Sequence, residues 1–201
     1  MTSEIRPAIV LLLLLTLLTG ILYPLGMTRL AGAFFPHQAE GSLIVKNGTV
    51  IGSEIIGQSF ASDRYFHGRP SATTGTDAQG NSVAQPYNAA NSMGSNLGPT
   101  SKALIERIKA DAAKLAAENP GTPVPIDLVT TSASGFDPDI TPAGALFQAP
   151  RVAKARNLDR KVVEDLVARF TRPRLLGIIG EPAVNVLDLN MALDQLTAKS
   201  G

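Results

Sequence analysis

Residues able to do chemistry are sparse in this chain of 201 residues. It has two histidines, His37 and His67, and no cysteine. A zinc site needs three or four Cys, His or carboxylate ligands at short spacings, and no such cluster occurs. Neither Gly-x-Ser-x-Gly nor Ser-x-x-Lys is present, so serine-hydrolase and penicillin-binding chemistry lack their marks. The Gly-x-x-x-x-Gly-Lys loop that cradles nucleotide phosphates is also missing.

Three weaker constellations remain. Gly94-Ser95-Asn96-Leu97-Gly98-Pro99 lies just before a helical pattern. Its backbone N–H groups can face an anion, or it is simply the tight turn that leads into a helix cap. Asp137-Pro138-Asp139 sets two carboxylates side by side. An oxygen-seeking cation fits there, but Asx-type turns use the same residues without a ligand and are the favoured reading. Arg69-Pro70-Ser71 and the basic run Arg151 to Arg156 are short, and they suit interface or solvated positions better than a nucleotide site. Formal net charge is +1, from 18 basic and 17 acidic residues. That balance gives no case for nucleic-acid binding, which needs a basic face.

The elements that position these residues begin with an apolar run. Pro7–Thr28 has no charged residue, contains five leucines in a row, and lies between Arg6 and Arg29. It reaches the roughly 20 residues that a spanning helix needs. Pro7 suits a first helical turn, Tyr23 an interfacial aromatic, and Pro24 a helix end or kink. Ala31-Gly32-Ala33 has the form of a signal cleavage site. Spanning is favoured over cleavage, and both over a buried core helix. No cysteine follows the run, which excludes a lipidated lipoprotein. Arg6 and Arg29 nearly balance, so counting basic flanks leaves the orientation open.

Beyond the run, residues 42–57 read as β structure. Lys46-Asn47-Gly48 between Leu43-Ile44-Val45 and Thr49-Val50-Ile51 predicts a type I′ hairpin, with a further short strand at Glu54–Ile56. Residues 58–100 read mostly as loop. The polar stretch 71–100 is too poor in apolar residues to order itself alone, so it is expected to be a mobile insertion or to be held by a partner. A helix is predicted over 101–118, with Leu104, Ile105, Ile108, Ala112 and Leu115 on one face. Surface pairs are expected at Glu106 with Lys109, Asp111 with Lys114, and Lys114 with Glu118. Pro123–Thr130 reads as extended. Thr141 and Pro142 open a short helix, and Asp159 caps another to about Phe170. A strand is predicted at Leu175–Ile179, and Asp188 is the expected cap of a last helix through Leu193 and Leu196.

Taken in order, the motifs resemble a known family. They are Arg6-Pro7-Ala8 leading into leucines and Tyr23-Pro24, then Gly41-Ser42-Leu43-Ile44, Ile56-Gly57-Gln58, and Tyr65-Phe66-His67-Gly68-Arg69-Pro70-Ser71-Ala72. Next come Gly94-Ser95-Asn96-Leu97, Asp127-Leu128-Val129-Thr130, Ser132-Ala133-Ser134-Gly135, Gln148, Pro150 to Arg156, Gly180-Glu181-Pro182, Val184-Asn185-Val186 and Leu189-Asn190. This series resembles the C subunit of Kdp-type potassium-transporting P-type ATPases over nearly the whole chain.

The resemblance implies an α+β protein: a short cytoplasmic N-terminus (1–6), a transmembrane helix (7–28), a linker (29–41), and a mixed α/β extracytoplasmic domain (42–201). It implies a non-catalytic accessory subunit in the cell (inner) membrane, needed for assembly of the complex. It further implies a catalytic chaperone that raises the ATP affinity of the ATP-hydrolysing subunit. The implied partners are that P-type subunit, a potassium-channel-like subunit and membrane lipid. ATP enters only through a ternary complex with the ATPase subunit. No Asp-Lys-Thr-Gly-Thr phosphorylation motif occurs. The expected partner contacts are Thr16, Thr19 and Gly20 in the span, where small and polar residues permit close helix approach, with Arg69, Pro70, Ser71, Gly94, Ser95 and Asn96 in the domain. The rival classes are a membrane-anchored enzyme and a binding module released at Ala33.

Overall fold

The computed structural model describes residues 2–198, in two compact units divided after Ser53. The first unit carries one long helix, Ile5–Phe34. It consists of α1 (Ile5–Leu17), a π turn (Leu18–Leu22) and α2 (Tyr23–Phe34). Pro24 therefore does not end the helix. Proline lacks an N–H and crowds the preceding turn. The helix answers with a wider turn, in which Tyr23 N–H donates to Leu18 O five residues back. The helical region passes Thr28 and covers part of the expected linker. It stops at Phe35, which leaves the helical region ahead of Pro36, and a single turn, α3 (Pro36–Ala39), follows.

The hairpin forms as the Asn-Gly signal predicts. β1 (Leu43–Lys46) and β2 (Thr49–Ser53) pair antiparallel. Asn47 and Gly48 both take positive φ, 52° and 78°, as a type I′ turn requires. This hairpin belongs to the helix-bearing unit. The strand expected at Glu54–Ile56 is a turn ending in an isolated bridge at Ile56.

The second unit is built on three helices and a small sheet. α5 (Pro142–Arg156), α6 (Arg160–Phe170) and α7 (Val186–Ala198) enclose the core. The antiparallel sheet runs β5 (Asp139–Ile140), β7 (Ala183–Asn185), β6 (Thr171–Arg172). Thr141 caps α5, accepting from Gly144 N–H at 2.9 Å. Burial of Ala145, Phe147, Ala149, Val152 and Ala153 carries this helix through Pro150 to Asn157, so it is not short. Asp159 caps α6 at Lys161 N–H, 2.7 Å. Val163, Leu166 and Val167 form its buried stripe.

Other expectations shift by local chemistry. The last helix is capped by Asn185, whose Oδ1 accepts from Asp188 N–H at 3.1 Å, so Asp188 lies inside the first turn. Ile126–Leu128 is a 3-10 turn and not an extended segment. α4 (Lys102–Glu118) is the helix expected at 101–118, with Ser101 as its cap. Its surface pairs are Lys102–Glu106 (3.6 Å) and Arg107–Asp111 (3.0 Å), because four-residue spacing lets opposite charges meet on one face. In place of a strand, Leu175–Ile179 is a tight turn closed by a single bridge.

The feature that organises the core is irregular. Residues 63–69 cross α5 and α7 without pairing to any strand. Helix side chains satisfy their backbone instead. Asn190 accepts from Phe66 N–H at 2.8 Å and donates to Phe66 O at 2.9 Å. Gln148 makes the same paired contact with His67 N–H (2.8 Å) and O (3.0 Å). Arg156 Nε donates to Arg64 O at 2.6 Å, and Arg151 to Asp63 O and Tyr65 O at 2.7 and 3.1 Å. Phe66 sits fully buried beneath them. Leaving a buried polar backbone group unmade costs about 1–3 kcal/mol. Asn190→Ala orphans two such groups and is expected to destabilise the protein by about 2–5 kcal/mol in urea unfolding. Gln148→Ala removes two contacts at the more accessible His67 and should cost less.

Candidate partner-contact surfaces

Two of the segments singled out in the sequence, 69–71 and 94–96, converge on one loop, residues 130–137. Arg69 reaches it first. Its Nε donates to Thr130 O (3.3 Å), its Nη2 to Thr131 O (3.2 Å), and its Nη1 pairs with Asp137 at 2.9 Å. Ser71 Oγ donates to Gly135 O at 2.5 Å and accepts from Tyr87 N–H at 3.0 Å. Gly94 lies against Ala133, so close that an added Cβ would stand 3.2 Å from the Ala133 carbonyl. Met93 N–H donates to Ser134 O at 3.1 Å, and Thr131 Oγ1 to Ser95 Oγ at 3.5 Å. Asn96 is exposed, with a left-handed φ of 52°. Pro70 lines a cleft of about 190 Å³ with His67, Asp111, Lys114 and Glu118.

The polar stretch 71–100 is thus held by its own chain. Thr73 is 1% exposed; its hydroxyl donates to Gln85 O (2.6 Å) and accepts from Asn88 N–H (3.1 Å). Asn88 donates on to Thr74 O at 2.8 Å. β3 (Thr74–Thr76) and β4 (Ser82–Ala84) form a hairpin beside them. Short hydroxyl and amide side chains can order a loop by bonding its backbone, a source of order that apolar composition does not register. Close approach demands glycine at several points. A Cβ on Gly135, whose φ is 78°, would stand 2.3 Å from Thr73 Cγ2, and one on Gly68 would stand 2.2 Å from the Tyr87 hydroxyl.

The electrostatics of this region are those of paired charges. Asp137 Oδ1 accepts from Asp139 N–H at 3.1 Å, which is the Asx-type contact. Asp139 is held by Arg172 through both carboxylate oxygens. Burial raises the Asp139 carboxyl above its ordinary value, and Arg172 opposes that rise. Among the described residues no three Asp, Glu, His or Cys side chains are placed to share a metal ion. Asp127 is buried over the start of α5, where its Oδ2 accepts from Thr141 N–H at 2.7 Å. The His67 imidazole donates through Nε2 to Ser62 O at 3.0 Å. Burial, and then the Arg151 charge, hold its pKa below the usual histidine value. The arrangement fixes loops in place and leaves paired charges and backbone at the surface.

In the first unit, Thr16, Thr19 and Gly20 lie on the long helix, and all three are exposed. Thr19 Oγ1 donates to Leu15 O at 2.7 Å, so its hydroxyl is satisfied within the helix. A Cβ at Gly20 would meet nothing within 4 Å, which leaves room for a neighbouring helix. Thr19 and Gly20 both fall in the π turn.

The sequence matches the family described as K+-transporting ATPase, c chain, over residues 5–195. The chain belongs to the KdpC family. A potassium-transporting ATPase KdpC subunit of Rhodopseudomonas palustris (strain BisB18) is 66% identical over 196 residues, covering 96% of this chain and 98% of that one. The corresponding subunit of Bradyrhizobium diazoefficiens is 64% identical over 201 residues, covering 99% and 100%. That of Methylobacterium nodulans is 61% identical, with the same coverage. The chain is accordingly a potassium-transport ATPase subunit, with one candidate transmembrane helix among the described residues.

Sequence reasoning assigned no role to Tyr87 or Thr73, and gave Gln148 and Asn190 no role beyond the motifs they share with the KdpC family; Arg151 and Arg156, expected at interface or solvated positions, instead turn inward onto the 63–65 backbone. The available signal for Asn190 was an amide on an apolar helix face between Val186 and Leu193, since a buried amide must find partners. Tyr87 donates its hydroxyl to Arg69 O at 2.7 Å. Burial first, and then the Asp137 charge, push its pKa up to about 12. A raised phenol pKa favours the folded state below the ordinary value near 10, and that advantage is lost as pH rises through the folded value. A pH titration of tyrosinate absorbance should therefore show the Tyr87 step late, at about 12. Tyr87→Phe should abolish that step and lower folded stability by about 1 kcal/mol, as expected for one lost hydrogen bond.

Proposed function

We propose that this chain is the single-pass, non-catalytic accessory subunit of a high-affinity ATP-driven potassium uptake complex in the cell (inner) membrane. The observation that carries this reading is the long helix together with the full-length family match. Ile5–Phe34 has 30 residues, and among the described residues none of its most apolar stretch is buried. At about 1.5 Å per residue it reaches about 45 Å, longer than the hydrocarbon core of roughly 30 Å. A helix this apolar is stable in lipid or against other apolar helices, and not in water.

The bulk of the chain lies outside the cytoplasm in this reading, with residues before the helix inside. Its partners are the ATP-hydrolysing P-type subunit and the potassium-channel-like subunit. The chain promotes their assembly and raises the ATP affinity of the hydrolysing subunit. ATP lies on the cytoplasmic side, so an external domain exerts that effect through the membrane subunits, as a coupling free energy between their states. Thr16, Thr19 and Gly20 face a partner helix, because small residues allow close backbone approach in lipid. The 69–71 and 94–96 segments, braced on the 130–137 loop, present backbone and paired charges to the channel-like subunit.

Affinity capture of the tagged chain from detergent-solubilised membranes of potassium-starved cells should recover both partner subunits. Recovery of neither contradicts the reading. External protease on spheroplasts should cut the larger unit. Cutting only after lysis would place it inside. Replacing Thr16, Thr19 and Gly20 together by Leu should lower complex recovery several-fold while membrane insertion is unchanged. Unchanged recovery reduces the helix to a tether.

A further inference from the structure

The most exposed apolar cluster of the second unit is the turn between β6 and β7. Leu175, Leu176, Ile178 and Ile179 are 65, 83, 77 and 56% exposed. Single apolar residues on a surface are ordinary, but contiguous ones mark an interaction site. The turn has a defined shape. Leu175 N–H donates to Ile179 O at 2.9 Å, Ile179 N–H to Leu175 O at 3.0 Å, and Gly177 N–H to Arg174 O at 3.0 Å. Leu176 takes a left-handed φ of 53°, a conformation that Gly or Asn adopts far more readily than leucine. A solvated turn would use one of those. Here the least suitable residue for the backbone is also the most exposed.

The neck of the turn decides between two kinds of occupant. Arg174 pairs with Glu181 at 2.6 Å, and Arg172 is held by Asp139. Segments that seat in a bilayer surface keep free Lys or Arg for headgroups and use Trp or Tyr at the interface. Residues 171–182 contain no aromatic residue, and both arginines of the neck already have carboxylate partners. A protein socket has the opposite requirement, since charges at its rim must be neutralised before they are enclosed. Its centre favours a compact apolar anchor with a fixed shape.

We propose that the Leu175–Ile179 turn is a preformed apolar knob that seats in an aliphatic or aromatic socket on another subunit of the potassium-transporting ATPase. The proposal rests on the subunit reading above and adds the surface and the chemistry of its partner. The knob stays rigid through its cross-turn bonds, so docking orders little new chain.

The test places a photoreactive benzoylphenylalanine at Leu176 in the full chain, co-expressed with the other subunits and irradiated in native membranes. The expected product is a covalent adduct between this chain and another subunit, identified by mass spectrometry. Adducts to lipid alone, adducts to a second copy of this chain, or no adduct in a complex that still co-purifies would each overturn the proposal. In parallel, Leu176→Asp with Ile178→Asp should reduce recovery of the complex at least about tenfold, with the unfolding midpoint of the chain unchanged. Leu176→Met with Ile178→Leu should retain it. Full recovery with the Asp pair overturns the knob while leaving the subunit reading intact. A chain of native sequence that captures no other subunit overturns both.

Discussion

The second unit depends on a substitution of side chains for a strand. The 63–69 segment carries Phe66 into the core, and a buried backbone must have its hydrogen bonds met. No neighbouring strand is available. Asn190 and Gln148 each present an amide whose donor and acceptor mimic a peptide group, and they clasp Phe66 and His67 on both sides. Arg156 and Arg151 take the carbonyls before them. The Arg156 guanidinium also lies 4.7 Å from the centre of the Tyr65 ring, and it bonds Asp194 at 2.8 Å. One helix pair therefore supplies the hydrogen bonds that a neighbouring strand would otherwise make.

From that fixed segment the rest of the region follows. Arg69 leaves it directly and ties down the 130–137 loop. Ser71 and Thr73 then serve as hubs for the polar stretch, and the left-handed Gly135 makes room for Thr73. The arginine is only partly exposed and its charge is met by Asp137, so the pair acts mainly as a brace. Surface pairs contribute little. Here the value lies in the several backbone acceptors that one guanidinium reaches in fixed geometry. The loops proposed as the partner-facing surface are consequently braced, with their shape set before any binding.

The long helix stands apart from this logic. None of its described residues is buried, and its order comes from helical backbone that continues even across Pro24. The π turn at Leu18–Leu22 absorbs the proline and places Thr19 and Gly20 at a local widening. Irregular turns of this kind are frequent at functional sites.

Much was legible in the sequence. Charge-free length marked the helix, Asn47-Gly48 the hairpin, Thr141-Pro142 and Asp159 the helix starts, and the ordered motifs the family. These signals are local: each needs only neighbouring residues, and the physics of caps, turns and hydrocarbon length acts at that range. The end of the long helix was local too, set by Pro36 after Phe35, but the persistence of α5 through Pro150 and the 3-10 turn at Ile126–Leu128 were decided by packing or by the register of distant bonds. The same holds for the order in residues 71–100, where composition argued for a loop in need of a partner. Thr73, Asn88 and Tyr87 supply that order only because the fold brings Gly135, Gln85 and Arg69 to them. Sequence determined which residues were available. Tertiary structure decided which polar groups were buried together, because a hydrogen bond gains its weight only once water has been excluded from both ends.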